Sequence, residues 1–85
     1  MQLIDAVTVK ALAGRKLELT FEDGVIAVIE MDKIVKNYTG IFEPLLKDYF
    51  FNLVKVDPEL GTIVWPNGAD ICPATLYAHA TGKPL

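Results

Sequence analysis

Apolar and polar residues alternate twice near the start of the chain. Val7 and Val9 alternate with Thr8 and Lys10, and after Ala13-Gly14-Arg15 the residues Leu17, Leu19 and Phe21 alternate with Glu18, Thr20 and Glu22. A period of two marks a strand with one buried face, so both runs predict strands. The second meets Asp23-Gly24, a dipeptide that tolerates positive φ at both turn positions, and residues 25–31 return as its antiparallel partner. With Asp23-Gly24 as a two-residue loop, Phe21 falls opposite Ile26 and Leu19 opposite Val28, which puts these four on one core-facing side. The reverse side then sets Thr20 and Glu18 against Val25, Ala27 and Ile29, a half-apolar surface that something should cover.

Farther along, the punctuation changes. Asp32 is placed to cap a short helix over 33–38 that Gly40 ends. A second helix starts at Pro44, whose fixed φ suits a first turn, with Leu45, Leu46, Tyr49 and Phe50 as its apolar stripe. Residues 53–56 and 62–65 form a second hairpin around Asp57-Pro58-Glu59-Leu60-Gly61. After the loop Pro66-Asn67-Gly68-Ala69, a closing helix runs from Pro73 to about Ala80, turns Leu76 and Tyr77 inward and ends near Gly82, with Asp70 or Cys72 just ahead of its first turn. The expected fold class is therefore α+β: an antiparallel sheet of two β-hairpins plus short helices, in a single compact domain over 1–85 with an ordered core at about 3–80.

Composition narrows the functional classes. Eighty-five residues allow one domain, and 52% hydrophobic against 22% charged is too apolar for a disordered chain. The net charge is −3, and the eight basic residues never run longer than two, so neither a nucleic-acid stripe nor a polybasic membrane patch can be drawn. No cationic segment precedes an apolar stretch at the start, and the longest apolar run, 25–29, is too short to span a bilayer, so a cytoplasmic location is the default expectation. The single cysteine fits a reducing compartment. A chain this small, with no internal disulfide available, often gains stability by self-association, which points to a homo-oligomer.

Catalytic chemistry is hard to assemble from these residues. There is no serine, which removes the commonest nucleophile. Cys72 and His79 lie seven residues apart on one helix face if the helix reaches back that far, but Pro73 sets Cys72 at the cap and about 10 Å of helix rise separates the two. One His and one Cys are too few for a transition-metal site, and Asp23, Asp32, Asp57 and Asp70 each sit where turn or capping chemistry explains an acid. The six glycines are dispersed, with no phosphate-binding loop, so no cofactor is expected.

The most unusual stretch is Thr62-Ile63-Val64-Trp65-Pro66-Asn67-Gly68-Ala69-Asp70-Ile71. As structure, Trp65 closes the core, Asn67-Gly68 turns the chain and Asp70 accepts hydrogen bonds from the amides of the next helix. As function, Trp65, Asn67, Asp70 and Tyr77 form a partly exposed aromatic and polar patch for a peptide or protein. The structural reading is preferred, because tryptophan is highly buried on average and each polar residue already has a local task.

The strand ending Leu19-Thr20-Phe21-Glu22-Asp23-Gly24, the helix carrying Phe42, Leu45 and Phe50, the strand Val54-Lys55-Val56-Asp57, and the segment from Gly61 through Trp65-Pro66-Asn67-Gly68-Ala69-Asp70-Ile71 to Leu76-Tyr77 resemble the bacterial family known as domain of unknown function 2442. The resemblance implies a small α+β fold and no established activity. It further implies relatives joined to a helix-turn-helix domain, and others that pair with a second short protein in a toxin–antitoxin or regulatory arrangement. The helix-turn-helix half has no counterpart among these 85 residues, so direct DNA binding is not carried over.

The leading expectation is a non-catalytic protein-interaction or regulatory module, not an enzyme, acting as a homodimer or with a small partner protein. One alternative is a small-molecule-binding or enzymatic domain with a pocket near Trp65 and Asp70, using Tyr77 and His79. A second is an accessory domain of a DNA-binding regulator.

Overall fold

The computed structural model describes residues 4–82. Three strands, β1 (Ala6–Leu12), β2 (Lys16–Phe21) and β3 (Ile26–Glu30), form an antiparallel sheet in that order. β4 (Lys55–Asp57) and β5 (Thr62–Val64) form a second, separate antiparallel pair. The single sheet of two hairpins expected from the sequence is thus two sheets, joined where the Ala6 amide donates to the Gly61 carbonyl at 3.1 Å. The α+β class and the single core stand: the Cα radius of gyration is 11.9 Å, close to the ~12 Å of one folded unit this long.

The first hairpin corrects the expected register by one residue. Leu19 lies opposite Ala27 and Leu17 opposite Ile29, while Val28 faces Glu18 and Ile26 faces Thr20. The loop is three residues long, not two: the Phe21 amide donates to the Val25 carbonyl (2.8 Å), the Gly24 amide to the Phe21 carbonyl (2.9 Å), and Gly24 takes φ +91°. A turn closed by one left-handed glycine suits this sequence better than two consecutive positive-φ residues, because Asp23 keeps an ordinary conformation and its Oδ1 accepts the Val25 amide at 3.1 Å. A slip of one residue moves every side chain to the other face. Leu17, Leu19, Phe21 and Ile29 are therefore buried with Ala27 half-buried, and the outward residues of β3 are Ile26 and Val28.

The helices between the sheets are shorter than the pattern suggested. α1 covers only Met31–Ile34, with Met31 fully buried and no side-chain cap. Asp32 is thus inside the first turn and not its cap, and no helix spans 33–38. Gly40 opens a 3-10 helix, Gly40–Leu46, where the sequence reading had it ending one. Lys47 is extended (φ −92°, ψ 124°) and separates that segment from α2 (Asp48–Phe51), so the continuous helix expected from Pro44 does not form. Leu45 and Phe51 face the core, whereas Leu46 and Tyr49, placed on the apolar stripe, are exposed. The closing helix α3 (Pro73–Thr81) matches its expected bounds, with proline in the first turn, Leu76 buried and left-handed Gly82 after its end.

Candidate functional site

The Trp65–Asp70 segment is built from backbone turns. The Trp65 amide donates to the Ala69 carbonyl (2.8 Å) and the Gly68 amide to the Trp65 carbonyl (2.9 Å), a tight reversal that β5 feeds directly. Trp65 is 1% exposed; its Nε1–H donates to the Phe51 carbonyl at 3.0 Å, and the two rings lie 5.8 Å apart. Asn67 Nδ2 donates to the Ile41 carbonyl at 2.8 Å, and its Oδ1 accepts the Ala69 amide at 3.1 Å. Trp65 and Asn67 therefore clamp the 41–51 segment onto the β5 turn, donating to carbonyls of its short helices.

The other two residues of the expected patch lie apart in role. Asp70 is exposed and pairs with Val64 through an isolated antiparallel bridge; among the described residues no amide of the first turn of α3 donates to its carboxylate, which corrects the capping role expected of it. Tyr77 sits edge-on to Phe21, ring centroids 5.0 Å apart, and its hydroxyl donates to Asp23 Oδ2 in a short hydrogen bond. That bond pushes the Tyr77 phenol pKa up and pins α3 to the tip of the first hairpin. The buried indole offers no exposed aromatic surface, so the patch as drawn from the sequence lacks its anchor.

Cys72 and His79 occupy opposite ends of α3. Cys72 is the residue before the first turn, and the amides of Thr75 and Ala74 pull its thiol pKa down while the Asp70 carboxylate opposes them. His79 is exposed in the last turn and lines a shallow groove of about 230 Å³ with Lys16, Val28, Ile29, Glu30 and Lys33. The groove borders β3, has neither Trp65 nor Asp70 in its lining, and is smaller than the ~300 Å³ at which ligand pockets usually begin. Among the described residues, no three His, Cys, Asp or Glu side chains gather to hold a metal ion, and no helix is long and apolar enough to cross a membrane.

The most concentrated polar cluster is one that the sequence reading missed. Arg15 holds Asp32 with two hydrogen bonds, Nε to Oδ1 at 2.8 Å and Nη2 to Oδ2 at 3.1 Å, while the Tyr38 hydroxyl donates to Asp32 Oδ1 at 2.6 Å. The guanidinium also lies 5.4 Å from the Tyr38 ring centroid. Arg15 and then Tyr38 hold the Asp32 carboxyl at about 2, below its usual 3.8. Partial burial and the bond to Asp32 push Tyr38 up to about 12. Arg15 takes φ +56°, alone among the described non-glycine residues, and its carbonyl accepts the Met31 amide at 3.0 Å. The cluster joins the β1–β2 turn to α1, seventeen residues on. No periodicity links these three positions, and the one available signal was a basic residue in a Gly-containing turn.

What remains exposed is apolar. Ile26 and Val28, 67% and 53% exposed, stand in a row on the outer face of β3, among Lys16, Glu18 and Glu30. A second stretch, Ile41, Leu46, Tyr49 and Leu53, is also open to solvent.

The chain belongs to the family described as Protein of unknown function (DUF2442), whose model matches residues 6–82. No curated protein and no solved structure matches it.

Proposed function

We propose that this member of the family is a non-catalytic interaction or regulatory module that works through protein contacts, with a second copy of itself or with a small partner protein. The observation that carries the reading is the row of exposed Ile26 and Val28 on a sheet face whose neighbouring positions are mostly polar or charged, Thr20, Glu18, Lys16 and Glu30 among them. Side chains of this size, adjacent on a regular strand, lose unfavourable hydration when covered and sit in a charged rim of the kind that borders interfaces. Several of the polar side chains near the Trp65–Asp70 segment and the hairpin turns are engaged in holding the fold, which supports a non-catalytic reading: Asn67 and Trp65 on the 41–51 segment, Tyr77 on Asp23, Asp32 on Arg15. Static light scattering at tens of micromolar, with co-expression of a tagged chain beside its neighbouring gene product, tests the reading. An assembly larger than 9.4 kDa, or a stable co-purifying complex, is the expected result. A strict monomer that retains no partner would contradict it.

A further inference from the structure

The two edges of the three-stranded sheet are managed differently. β1 carries an irregularity between Ala6 and Thr8, a lysine at position 10, and the Ala6–Gly61 bond that sets the second hairpin against it. These are the usual means of closing an edge to further pairing. β3, Ile26-Ala27-Val28-Ile29-Glu30, has no proline, lysine or bulge. Its hydrogen-bonding phase follows from two bonds at its ends: the Phe21 amide to the Val25 carbonyl and the Met31 amide to the Arg15 carbonyl. Odd-numbered residues of β3 therefore pair with β2, and the amide and carbonyl groups of Ile26 and Val28 are directed away from it. No backbone or side-chain partner for these four groups is found among the described residues. α3 packs against β3, with Leu76 in the core and His79 bordering a groove with Val28, Glu30 and Lys33, while Ile26 and Val28 themselves stay exposed.

We propose that the free edge of β3 pairs antiparallel with β3 of a second copy, giving one continuous six-stranded sheet across a two-fold axis. This commits the proposed interaction role to one occupant and rests on that reading. With the axis at Ala27, Ile26 of each copy lies opposite Val28 of the other; each such pair exchanges both of its hydrogen bonds, and four apolar side chains meet on the outer face. Charge selects the antiparallel arrangement. The hairpin tip carries Glu22 and Asp23, while the other end of the strand carries Arg15, Lys16 and Lys33 against Glu30 and Asp32, three positive charges to two negative, with Lys33 Nζ 3.1 Å from Glu30. Opposed strands bring each acidic tip to the other copy's net-positive end, twice. Moving the axis to Val28 would set Ile26 against Glu30 and lose the apolar row. A five-residue edge makes a small interface, so the dimer is weak and concentration-dependent.

The test is Val28→Pro, followed by light scattering with Trp65 fluorescence and circular dichroism as reports on the core. The Val28 amide makes no bond to β2, so proline at this edge position removes a donor needed only by the second copy. The expected result is a wild-type dimer at tens of micromolar and a Val28→Pro monomer with unchanged Trp65 emission. Should that variant fail to fold, Ile26→Lys preserves the backbone, adds an edge lysine, and is expected to weaken the dimer at least about tenfold. A dimer that survives Ile26→Lys and a folded Val28→Pro overturns the edge pairing and leaves the interaction role standing. A monomer that binds its neighbouring gene product overturns the second copy as occupant. A monomer that binds nothing overturns both.

Discussion

Asp32 shows how little a single position reveals about its partners. In sequence it precedes an apolar stretch and reads as a helix cap; in the fold it receives two bonds from Arg15 and one from Tyr38. Its carboxyl is held at about 2, against 3.8 when free, so the unfolded chain binds more protons between those values. The stabilisation is present above pH 3.8 and is lost as pH falls through about 2. Asp32→Asn is expected to flatten the fall in Tm across that acid window, as read by thermal melts; an unchanged slope would show that the cluster contributes nothing. The alkaline side has the opposite sign. Tyr38 is raised from 10.0 to about 12, so its contribution is complete below pH 10 and lost as pH passes about 12. Ultraviolet titration should show a phenol ionising near pH 12 that Tyr38→Phe removes. At a third position the constraint is steric. Gly61 has φ +69° and is buried, and a Cβ there would meet the Asp5 carboxyl group. Gly61→Ala is expected to cost more than Gly24→Ala, which at φ +91° has open space and loses only about 1 kcal/mol of backbone preference; urea unfolding ranks the two.

Among elements, those whose signals are local were legible in the sequence. The alternation of Leu17, Leu19 and Phe21 gave the buried face of β2; Asp57 to Gly61 gave the second turn, where Asp57 Oδ1 accepts the Glu59 and Leu60 amides; Pro73 and Gly82 gave both ends of α3. The partner face of β3 was not legible, because it depends on whether Glu22 belongs to the strand or to the loop, and one residue of loop length reverses inside and outside. Nor were the short helices, since a 3-10 turn and a single α-turn depend on tertiary bonds such as those of Asn67 and Trp65 and not on propensity. The candidate patch failed to separate aromatic anchor from core residue for the same reason: the Phe51 carbonyl that Trp65 satisfies cannot be seen in one dimension. Trp65→Phe removes the closer of two donors on the Phe51 carbonyl, the Val54 amide remaining at 3.3 Å, and is expected to cost about 0.5–1.5 kcal/mol for that bond, with further loss from the smaller ring, measurable by denaturant unfolding.

At the scale of the molecule, one core is closed by clamps between distant segments. Arg15 reaches Asp32, Tyr77 reaches Asp23, Trp65 reaches Phe51, and Asn67 reaches Ile41. These bonds engage Arg15, Asp23, Asp32, Trp65, Asn67 and Tyr77, and they leave Ile26 and Val28 exposed on the outer side of β3. The proposed role follows from that division: polar side chains hold the globule together, and an apolar strand edge is left to meet another chain. Amide hydrogen exchange at Val28 tests this most directly. If β3 pairs with a second copy, the Val28 amide exchanges rapidly in dilute protein and becomes protected as concentration rises through tens of micromolar, while the Leu19 amide, inside the sheet, stays protected throughout. Equally rapid exchange of Val28 at every concentration, in protein whose core is intact, would contradict the account.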